Sequence, residues 1–438
     1  MNLTGAEIVS GLDPHAIIEQ RWCRLTEIPR IELVDAWSMS SADPPAWWLI
    51  VACITSDGSA EYQVPVIAVT EPTGRTILGS VNIDGVDTLL VDGSSDVRVL
   101  NGLLTVGEPV DIQVFGDSLP VFEQVGPVGG DSTNTVLRAD DHIVKIYRCL
   151  DEAGAREAHL LSALADAGTR GIPAVHALVS RKTGSGINEA LAVVQSFVKG
   201  LDAWDRVTRI LADGPCDIER DVAAMAVAVA DIHACFARMG SEPWGGSHRH
   251  AMRDRVGRIV LSLRKRELPD DLASELLRVA GAIRILSVEP GSFVCAVHGD
   301  LHLGQLLHAD TAYAILDFEG EPLATPEERM AWHSPLKDVA GMIRSFDYAA
   351  GFVRKHGAPG PDAKWDDWLN RTTAAFLDSY HSHSPVPRDD VLLSSYLLEK
   401  AVYELEYESR SRPGWISIPL RGLRRLLQAA ETDAKSLP

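Results

Sequence analysis

Hydrophobic and polar positions change their spacing along the chain, and each change predicts a different kind of element. Residues 1–30 carry apolar side chains at helical intervals, and Pro14 lies where it would divide the helical stretch. Residues 31–115 contain short β-rich runs between turn residues, and the polar turn 56–59 indicates a hairpin. The predicted strands are 47–54, 62–69, 88–91, 97–100 and 110–115. We interpret residues 1–117 as a cap domain, a helix plus a β-rich part, without a recognisable catalytic motif.

Residues 118–200 form a second predicted domain, which combines strands with one helix. A glycine-rich turn at 126–134 follows its first strand, and a helix is predicted over 151–167. The predicted strands are 121–125, 135–138, 143–147, 175–179 and 191–198. Helical spacing then dominates a third domain, residues 201–438. Its main predicted helices are 217–239, 338–348, 365–380 and 389–410, and residues 244–250 are predicted to be an exposed loop.

Two aspartates follow predicted strand ends within the helical domain. The buried run 293–297 ends just before Asp300, which lies in a tight loop. Two short apolar runs with a polar tip between them, 306–308 and 313–316, predict a hairpin that places Asp317 beside the start of that loop. Phosphoryl transfer needs a divalent cation that screens the phosphates and a carboxylate that orients the attacking hydroxyl. The two carboxylates therefore indicate this chemistry.

The glycine-rich turn is a candidate phosphate-binding loop. Glycines let the backbone approach a ligand, and Ser132, Thr133 and Asn134 add side-chain donors for phosphate oxygens. The turn fits neither the GxGxxG nor the Walker pattern, so an ordinary β-turn of the same composition is the alternative. Lys145 follows in an otherwise apolar strand, where an inward-pointing lysine needs an anionic partner. A lysine on the outer face of an alternating strand is the alternative there.

A group of acidic and aromatic residues near the C-terminus predicts a sugar site. Glu404 and Glu408 are four residues apart in a predicted helix and share a face, and Trp415 follows the helix. Aromatic rings pack on the C–H faces of sugars, while carboxylates bind hydroxyl or ammonium groups. The alternative is a solvated acidic face that Lys400 and Arg410 neutralise.

Composition disfavours several other classes of function. The net charge of −20 over 438 residues opposes non-specific binding to nucleic acid or to an anionic membrane surface. No signal segment is recognisable, and the longest apolar run, near 46–54, is too short to span a bilayer. Six cysteines without CxxC spacing predict thiols in a reducing compartment. We therefore expect a cytoplasmic protein with small-molecule ligands, either a monomer or a homodimer.

Several ordered blocks of sequence resemble known kinases. His298-Gly-Asp-Leu-His302, with Gln305 and Asp317, resembles the catalytic-loop motif of aminoglycoside phosphotransferases and related sugar kinases, which usually have Asn at the position of Gln305. The longer text is similar to actinobacterial maltokinases and related glucosamine kinases. The similar blocks are HGDLHLGQ (298–305), DFEGEP (317–322), SPLKDVAGMIRSFDYA (334–349) and KAVYELEYESRSRPGWISIPLR (400–421). The resemblance implies an α+β, bilobal protein-kinase-like fold with an N-terminal cap.

The resemblance also implies roles for residues in the catalytic stretch. Asp300 would accept the proton of a sugar hydroxyl or orient that hydroxyl, and His302 would lie beside the substrate and shape the loop by hydrogen bonding. Gln305 and Asp317 would hold Mg²⁺, because an amide can offer a carbonyl oxygen to a hard cation much as a carboxylate does. The residues expected to support the loop are Asp338 and Arg344.

A nucleotide site is implied in the second predicted domain. Lys145 would bind the α- and β-phosphates of ATP, and Glu157 is the candidate for its ion-pair partner. The sequence around Glu157 departs from the maltokinase pattern, so the pairing glutamate stays open. The residues implied for the hinge, whose backbone would meet adenine, are Gln195, Phe197 and Val198.

The resemblance leaves the acceptor open among three kinds of substrate. Departures from maltokinases in the helix after Lys145, at 199–216 and at 244–250 fit the glucosamine kinases, which phosphorylate the 6-hydroxyl, so glucosamine ranks ahead of maltose by a narrow margin. Aminoglycoside antibiotics rank third. A pseudokinase or binding module, with the cap as its working surface, is the alternative outside enzymes. The intact set of Lys145, Asp300 and Asp317 argues against that alternative.

Overall fold

The structure, a computed structural model, describes residues 3–39, 44–71, 74–83, 85–128, 134–183, 188–266, 291–309 and 312–436. Backbone contacts divide the chain into two compact units. The first comprises Met1–Asp166 and Ala174–Phe197, and the second comprises Ala167–Pro173 and Val198–Pro438. Both units contain helices and strands, which confirms the α+β class.

The N-terminal part of the first unit is built around a five-stranded antiparallel sheet. Its strands are β1 (Arg30–Ser38), β2 (Ala46–Thr55), β3 (Gly58–Val69), β4 (Ile77–Ile83) and β5 (Val86–Asp92), in the order β1-β2-β3-β5-β4. The two-residue turn between β2 and β3 confirms the predicted hairpin. The helices of this part are α1 (Gly5–Ser10), α2 (Pro14–Ile18) and α3 (Val97–Leu103). Pro14 opens α2, where the missing N–H of proline breaks no helical hydrogen bond.

The rest of the first unit is a six-stranded antiparallel sheet with one helix. Its strands are β6 (Val110–Val114), β7 (Val125–Pro127), β8 (Thr135–Ala139), β9 (His142–Ile146), β10 (Val175–Lys182) and β11 (Asn188–Ser196), in the order β6-β10-β11-β9-β8-β7. Helix α4 (Glu152–Asp166) packs on β10 and β11. The sequence placed residues 110–115 in the cap, but β6 pairs with β10 and so belongs to this second sheet. The predicted division at 117 and 200 otherwise stays a prediction.

One apolar core joins the two sheets of the first unit. It includes Trp48 of β2 and Val144 of β9. Gln63 of β3 is fully buried, and its Nε2 donates to the carbonyl oxygens of Tyr147 and Leu191 at 2.6 and 2.8 Å. Its Oε1 accepts from Trp48 Nε1 at 2.8 Å. Because a buried amide must be hydrogen-bonded, these bonds hold the cap sheet and the second sheet together as one folded body.

The second unit is mainly helical. Its helices are α5 (Ala203–Leu211), α6 (Glu219–Met239), α7 (Gly246–Arg264), α8 (Pro326–Met330), α9 (Leu336–Lys355), α10 (Asp362–His383), α11 (Asp390–Ser411) and α12 (Ser417–Ser436). Its short strands are β12 (Leu201–Asp202), β13 (Glu242–Pro243), β14 (Phe293–Val294), β15 (Leu306–Ala309) and β16 (Ala312–Ile315). Strands β15 and β16 form the predicted hairpin, and β12 lies beside β15. The hairpin therefore follows the predicted catalytic loop directly in the chain.

By length and composition alone, helix α6 is long and apolar enough to cross a membrane. It packs against α10 and β16. Val229, Ile232 and Phe236 are fully buried on it. Such burial against other elements is typical of a core helix in a folded domain.

Several predicted elements differ from the observed ones in type or extent. Residues 97–100 begin helix α3 rather than a strand, because Asp96 Oδ1 caps the helix by accepting from Arg98 N–H and the apolar residues bury one helical face. The strand predicted at 121–125 begins only at Val125, and the strand predicted at 293–297 ends at Val294, since its partner β13 is equally short. The predicted exposed loop 244–250 is wrong, because α7 already begins at Gly246.

Candidate active site

The predicted catalytic loop is held at two points by side chains of helix α9. Asp338 accepts hydrogen bonds from two successive backbone N–H groups, those of His298 (2.7 Å) and Gly299 (2.9 Å). Ser345 Oγ, almost two turns further along α9, accepts from Leu303 N–H at 2.9 Å. Residues seven apart lie on the same side of a helix. One face of α9 therefore fixes the backbone on both sides of the predicted base, and the predicted supporting contact of Asp338 is present.

Between these two acceptors, Gly341 allows α9 to approach the loop closely. A Cβ atom built on Gly341 would lie 2.4 Å from the carbonyl oxygen of Leu301. Cβ atoms do not come so close to a backbone oxygen, so only glycine fits without a shift of loop or helix. One face of α9 thus contacts the loop through Asp338, Gly341 and Ser345.

Asp338 carries a charge although only 1% of its surface is exposed. Burial alone would disfavour the carboxylate, but hydrogen bonds from His233 Nε2 (3.0 Å) and from the loop hold the pKa of Asp338 at about 2, below its ordinary 3.8. The other ring nitrogen of His233 hydrogen-bonds Tyr380 Oη at 2.7 Å. A chain of buried polar groups therefore keeps an anionic anchor under the loop.

His298 connects the loop to the end of the hairpin. Its Nε2 donates to the carbonyl oxygen of Leu316 at 2.8 Å, and its Nδ1 accepts from Asp300 N–H at 3.2 Å. Burial lowers the pKa of His298, which favours the neutral ring that one donor and one acceptor require. A single imidazole thus fixes the backbone at Asp300 and at the residue before Asp317.

His302 and Gln305 occupy the turn that leads into the hairpin. His302 Nδ1 accepts from Gly304 N–H at 3.0 Å, so the histidine shapes the turn. Burial lowers the pKa of His302 as well. The side-chain Nε2 of Gln305 donates to Asp317 Oδ2 at 3.2 Å, which brings together the two predicted magnesium ligands.

Asp317 and Gln305 together fit a magnesium ion. Asp317 has a backbone φ of 64°, a left-handed conformation that is uncommon outside glycine and persists where the surroundings impose it, often at functional sites. A carboxylate and an amide carbonyl are hard oxygen donors, the kind that Mg²⁺ prefers. The donor set therefore suits the predicted cation, and the role of these residues as its ligands stays a prediction.

Lys400 of helix α11 contacts the carboxylate of Asp300, a contact that the sequence did not predict. Lys400 Nζ donates to Asp300 Oδ1 and to Glu321 Oε1, both at 2.8 Å. Burial would lower the pKa of Lys400, but the two carboxylates raise it well above its ordinary value, so the ammonium form is stable. From the sequence, Lys400 was considered only as a residue that could neutralise a solvated acidic face of α11. Lys400 is the first residue of the block 400–421 that resembles the related kinases, and this position was the one sequence feature that pointed to a role at the site.

In the first unit, Lys145 of β9 forms an ion pair with Glu157 of α4. The Nζ–Oε2 distance is 2.7 Å, and both side chains are largely buried. The lysine therefore does not lie on an exposed outer face, and the candidate pairing with Glu157 is present. A buried lysine held in one geometry by a carboxylate can be presented to phosphate oxygens. That role stays a prediction.

The other predicted nucleotide-binding residues lie at the glycine-rich turn and at the end of β11. Ser132 and Thr133 lie outside the described residues, and Asn134 Oδ1 accepts from Arg148 N–H at 3.2 Å. The first unit ends at Phe197. Its N–H donates to the carbonyl oxygen of Asp141 at 2.8 Å. The residues that stay predicted for adenine contact are Gln195, Phe197 and Val198.

Glu404 on α11 is paired with a fully buried arginine. Arg344 of α9 donates from Nη2 to Glu404 Oε2 and from Nη1 to Asp347 Oδ2, both at 2.5 Å. Arg344 was expected to support the catalytic loop, but its side chain bonds Glu404 of α11 and Asp347 of its own helix instead. Burial raises the pKa of Glu404 despite the arginine, and 12% of the side chain remains exposed.

Glu408 lies one turn further along α11 and is only 2% exposed. It accepts a hydrogen bond from Tyr348 Oη and two from Arg412, at 3.0 and 2.6 Å. The ring of Trp415 stacks near Tyr348, with centroids 6.2 Å apart and planes inclined by 26°. A sugar hydroxyl could reach Glu408 only by displacing one of these partners. Substrate contacts by Glu408 and Trp415 stay predictions.

Two features are typical of a kinase-like phosphotransferase. One is the antiparallel sheet with a buried Lys–Glu pair, and the other is the loop that carries an aspartate and is supported by a helix. The sequence profile described as the phosphotransferase enzyme family matches residues 124–384, more than half of the chain. The chain therefore belongs to the phosphotransferase enzyme family.

Similar proteins include two glucosamine kinases. The kinase of Streptacidiphilus jiangxiensis is 27% identical over 338 residues, 72% of this chain and 76% of that protein. The kinase of Mycolicibacterium smegmatis is 29% identical over 322 residues, 69% of this chain and 79% of that protein.

Solved structures of a glucosamine kinase share the fold over nearly the whole chain. One matches with a TM-score of 0.74 and 24% identity over 97% of this chain and 100% of that chain. Another, a complex with glucosamine, ADP and inorganic phosphate, matches with a TM-score of 0.71 and 21% identity over 100% of both chains. These matches confirm the kinase-like fold that the sequence predicted.

Proposed function

We propose that this protein is an ATP-dependent glucosamine kinase that transfers the γ-phosphoryl group of ATP to the 6-hydroxyl of glucosamine. The observation that carries the proposal is the loop of Asp300, which α9 holds through the backbone and Lys400 holds through the carboxylate. Membership of the phosphotransferase family supports the reaction class. Relatives that are glucosamine kinases, one of them solved with glucosamine, ADP and phosphate, support the acceptor.

Asp300 acts on the acceptor hydroxyl in this proposal. One carboxylate oxygen is bonded to Lys400, and the other orients the hydroxyl and takes its proton as the hydroxyl oxygen bonds to the γ-phosphorus. The bond between the γ-phosphorus and the β,γ-bridging oxygen breaks, and ADP leaves with that electron pair. The products are glucosamine 6-phosphate, ADP and a proton.

The chain also supplies groups for the nucleotide. Gln305 and Asp317 would hold Mg²⁺, which when bound neutralises charge on the β- and γ-phosphates. Lys145, oriented by Glu157, would donate to the α- and β-phosphate oxygens. The residues that would complete the nucleotide site are Ser132, Thr133, Asn134, Gln195, Phe197 and Val198.

Glu404 is our candidate for recognition of the amino group. Its side chain is partly exposed, and a sugar ammonium would add a charge-assisted hydrogen bond to the carboxylate. Trp415, also partly exposed, would pack on a C–H face of the ring, and His302 and Glu408 would complete the acceptor site. Glucose lacks the ammonium group, so we expect glucosamine to be preferred over glucose.

An acceptor panel tests the proposal. ADP release is measured with ATP and Mg²⁺ over glucosamine, glucose, maltose and kanamycin. We expect kcat/KM for glucosamine to exceed that for each other acceptor by about tenfold or more, because a site built for a polar group discriminates against analogues that lack it. ³¹P NMR should show a 6-phosphate ester. Faster turnover of maltose or kanamycin would contradict the assignment, and no acceptor-dependent ADP release would indicate a pseudokinase.

We also propose that the protein acts in the cytoplasm, where ATP is available and where six cysteines without disulfide spacing would stay reduced. Its assembly is either monomer or homodimer, which light scattering coupled to size-exclusion chromatography distinguishes. The net charge of −20 predicts that the protein elutes without bound nucleic acid.

A further inference from the structure

We infer that Lys400 is a positioning residue for phosphoryl transfer, because it fixes the carboxylate of Asp300 from a different element than the one that fixes the backbone of the loop. The inference rests on the proposed function, since it assigns a role within that reaction. Lys400 belongs to α11, the helix that also carries Glu404 one turn later. It therefore links the catalytic loop to the helix that carries Glu404, the candidate residue for binding the sugar acceptor.

The contacts of Lys400 fix one rotamer of the Asp300 side chain. Nζ donates to Asp300 Oδ1 at 2.8 Å, and no hydrogen bond reaches Oδ2 from any residue in the described part of the chain. The ammonium also lies 4.8 Å from the centroid of the Tyr403 ring, on the next turn of α11. One carboxylate oxygen is thus anchored, and the other is left for the acceptor hydroxyl.

The lysine is part of a buried group of alternating charges. Glu321, 2% exposed, accepts from Lys400 at 2.8 Å, and it also contacts Lys337 at 3.4 Å and Arg255. The Nε of Arg255 in turn contacts Glu399 at 3.1 Å. Three cations therefore face three carboxylates when Asp300 is counted, so removal of one member leaves a charge without compensation.

Loss of Lys400 would be felt mainly by Asp300. Glu321 would keep both Arg255 and Lys337, whereas Asp300 would lose the only cation within salt-bridge distance among the described residues. The carboxylate of Asp300 could then rotate, and the orientation that suits proton transfer would be only one of several side-chain orientations. A misplaced base lowers kcat more than it changes substrate binding.

Lys337 provides a matched control. It is another lysine bound to the same Glu321, and its side chain is 10% exposed, against 13% for Lys400. It makes no salt bridge to Asp300 in the described part of the chain. Lys337→Met therefore removes an equally buried charge from the same group without touching the predicted base.

The test compares steady-state kinetics of wild type, Lys400→Met, Lys400→Arg and Lys337→Met with glucosamine and ATP, together with their melting temperatures. We expect Lys400→Met to lower kcat by about 30-fold or more while both KM values change by less than about threefold. Lys400→Arg should recover a large part of kcat, because it restores a cation beside Asp300. Lys337→Met should keep kcat within about threefold of wild type even if its melting temperature falls equally.

A double-mutant cycle makes the test independent of stability. If Lys400 acts through Asp300, then Lys400→Met should change the residual kcat of Asp300→Asn by less than about twofold. An undiminished effect in that background would overturn the inference, as would unchanged kcat in Lys400→Met or equal losses in Lys400→Met and Lys337→Met. Absence of glucosamine-dependent ADP release by the wild type is a different result, which would refute the proposed function and the inference that rests on it.

Discussion

Substitution of Gly341 by alanine tests how closely catalysis depends on the contact between α9 and the catalytic loop. The added Cβ would lie 2.4 Å from the carbonyl oxygen of Leu301, and an acceptable contact needs at least 3.0 Å. Loop and helix must therefore separate by 0.6 Å or more next to Asp300. Misplacement of a catalytic group by about 1 Å costs on the order of 10²-fold in rate, so we expect Gly341→Ala to lower kcat by about 10- to 100-fold.

Thermodynamics and controls separate this effect from general destabilisation. Overpacking at Gly341 should lower the free energy of unfolding by about 1–3 kcal/mol, measured by urea denaturation. Gly351→Ala, in the same helix, would place its Cβ 2.7 Å from Ile418 Cγ2, away from the loop. Gly257→Ala in α7 meets no atom within 4 Å and should stabilise the helix by about 0.5–1 kcal/mol.

Comparison of kcat among the variants distinguishes displacement of the catalytic loop from general destabilisation. We expect both control variants to keep kcat within about twofold of wild type. A Gly341→Ala variant with wild-type kcat would refute the claim that α9 sets the geometry of the loop. A Gly351→Ala variant that loses kcat in proportion to its stability would refute it as well.

Three further predictions follow from the buried carboxylate anchor and the proposed nucleotide site. The pKa of Asp338 is about 2 in the folded protein, so its stabilising contribution is present above pH 3.8 and is lost as pH falls through about 2. Between about pH 5 and pH 2, the free energy of unfolding of the wild type should therefore fall by roughly 2 kcal/mol more than that of Asp338→Asn, measured by urea denaturation. Equal losses would contradict the assigned ion. Asp317→Asn should raise the Mg²⁺ concentration for half-maximal rate by about tenfold or more, and an unchanged requirement would remove Asp317 from the cation site. Lys145→Met should lower kcat/KM for ATP by about 10²-fold with the KM for glucosamine little changed, and unaltered use of ATP would refute its assignment to the phosphates.

Local patterns predicted most of the elements around the site. The two short apolar runs 306–308 and 313–316, with a polar tip between them, predicted the hairpin before Asp317, and the helical spacing after Pro335 predicted α9. Segment 97–100 was misread because Val97 and Val99 alternate like a strand, while the burial of Val99, Leu100 and Leu103 follows a helix. Short apolar runs cannot be assigned by period alone, so tertiary burial decided the outcome there.

Long-range pairings were beyond the reach of those patterns. Lys400 and Asp300 are 100 residues apart, and only the packing of α11 on the loop side of the unit makes them neighbours. Arg344 shows the same limit, since its helix was predicted but the direction of its side chain, toward Glu404, was not. A helix can be predicted from its period, whereas the partner of a charge on it depends on which helices pack together.

The most direct test of the central claim is the rate of glucosamine-dependent ADP release by wild type and by Asp300→Asn. The account predicts a fall in kcat of about 10³-fold or more, with nucleotide affinity within about threefold of wild type, because the amide keeps the size of the side chain but cannot take the proton. Turnover of glucosamine by Asp300→Asn at a rate close to that of wild type would contradict the account.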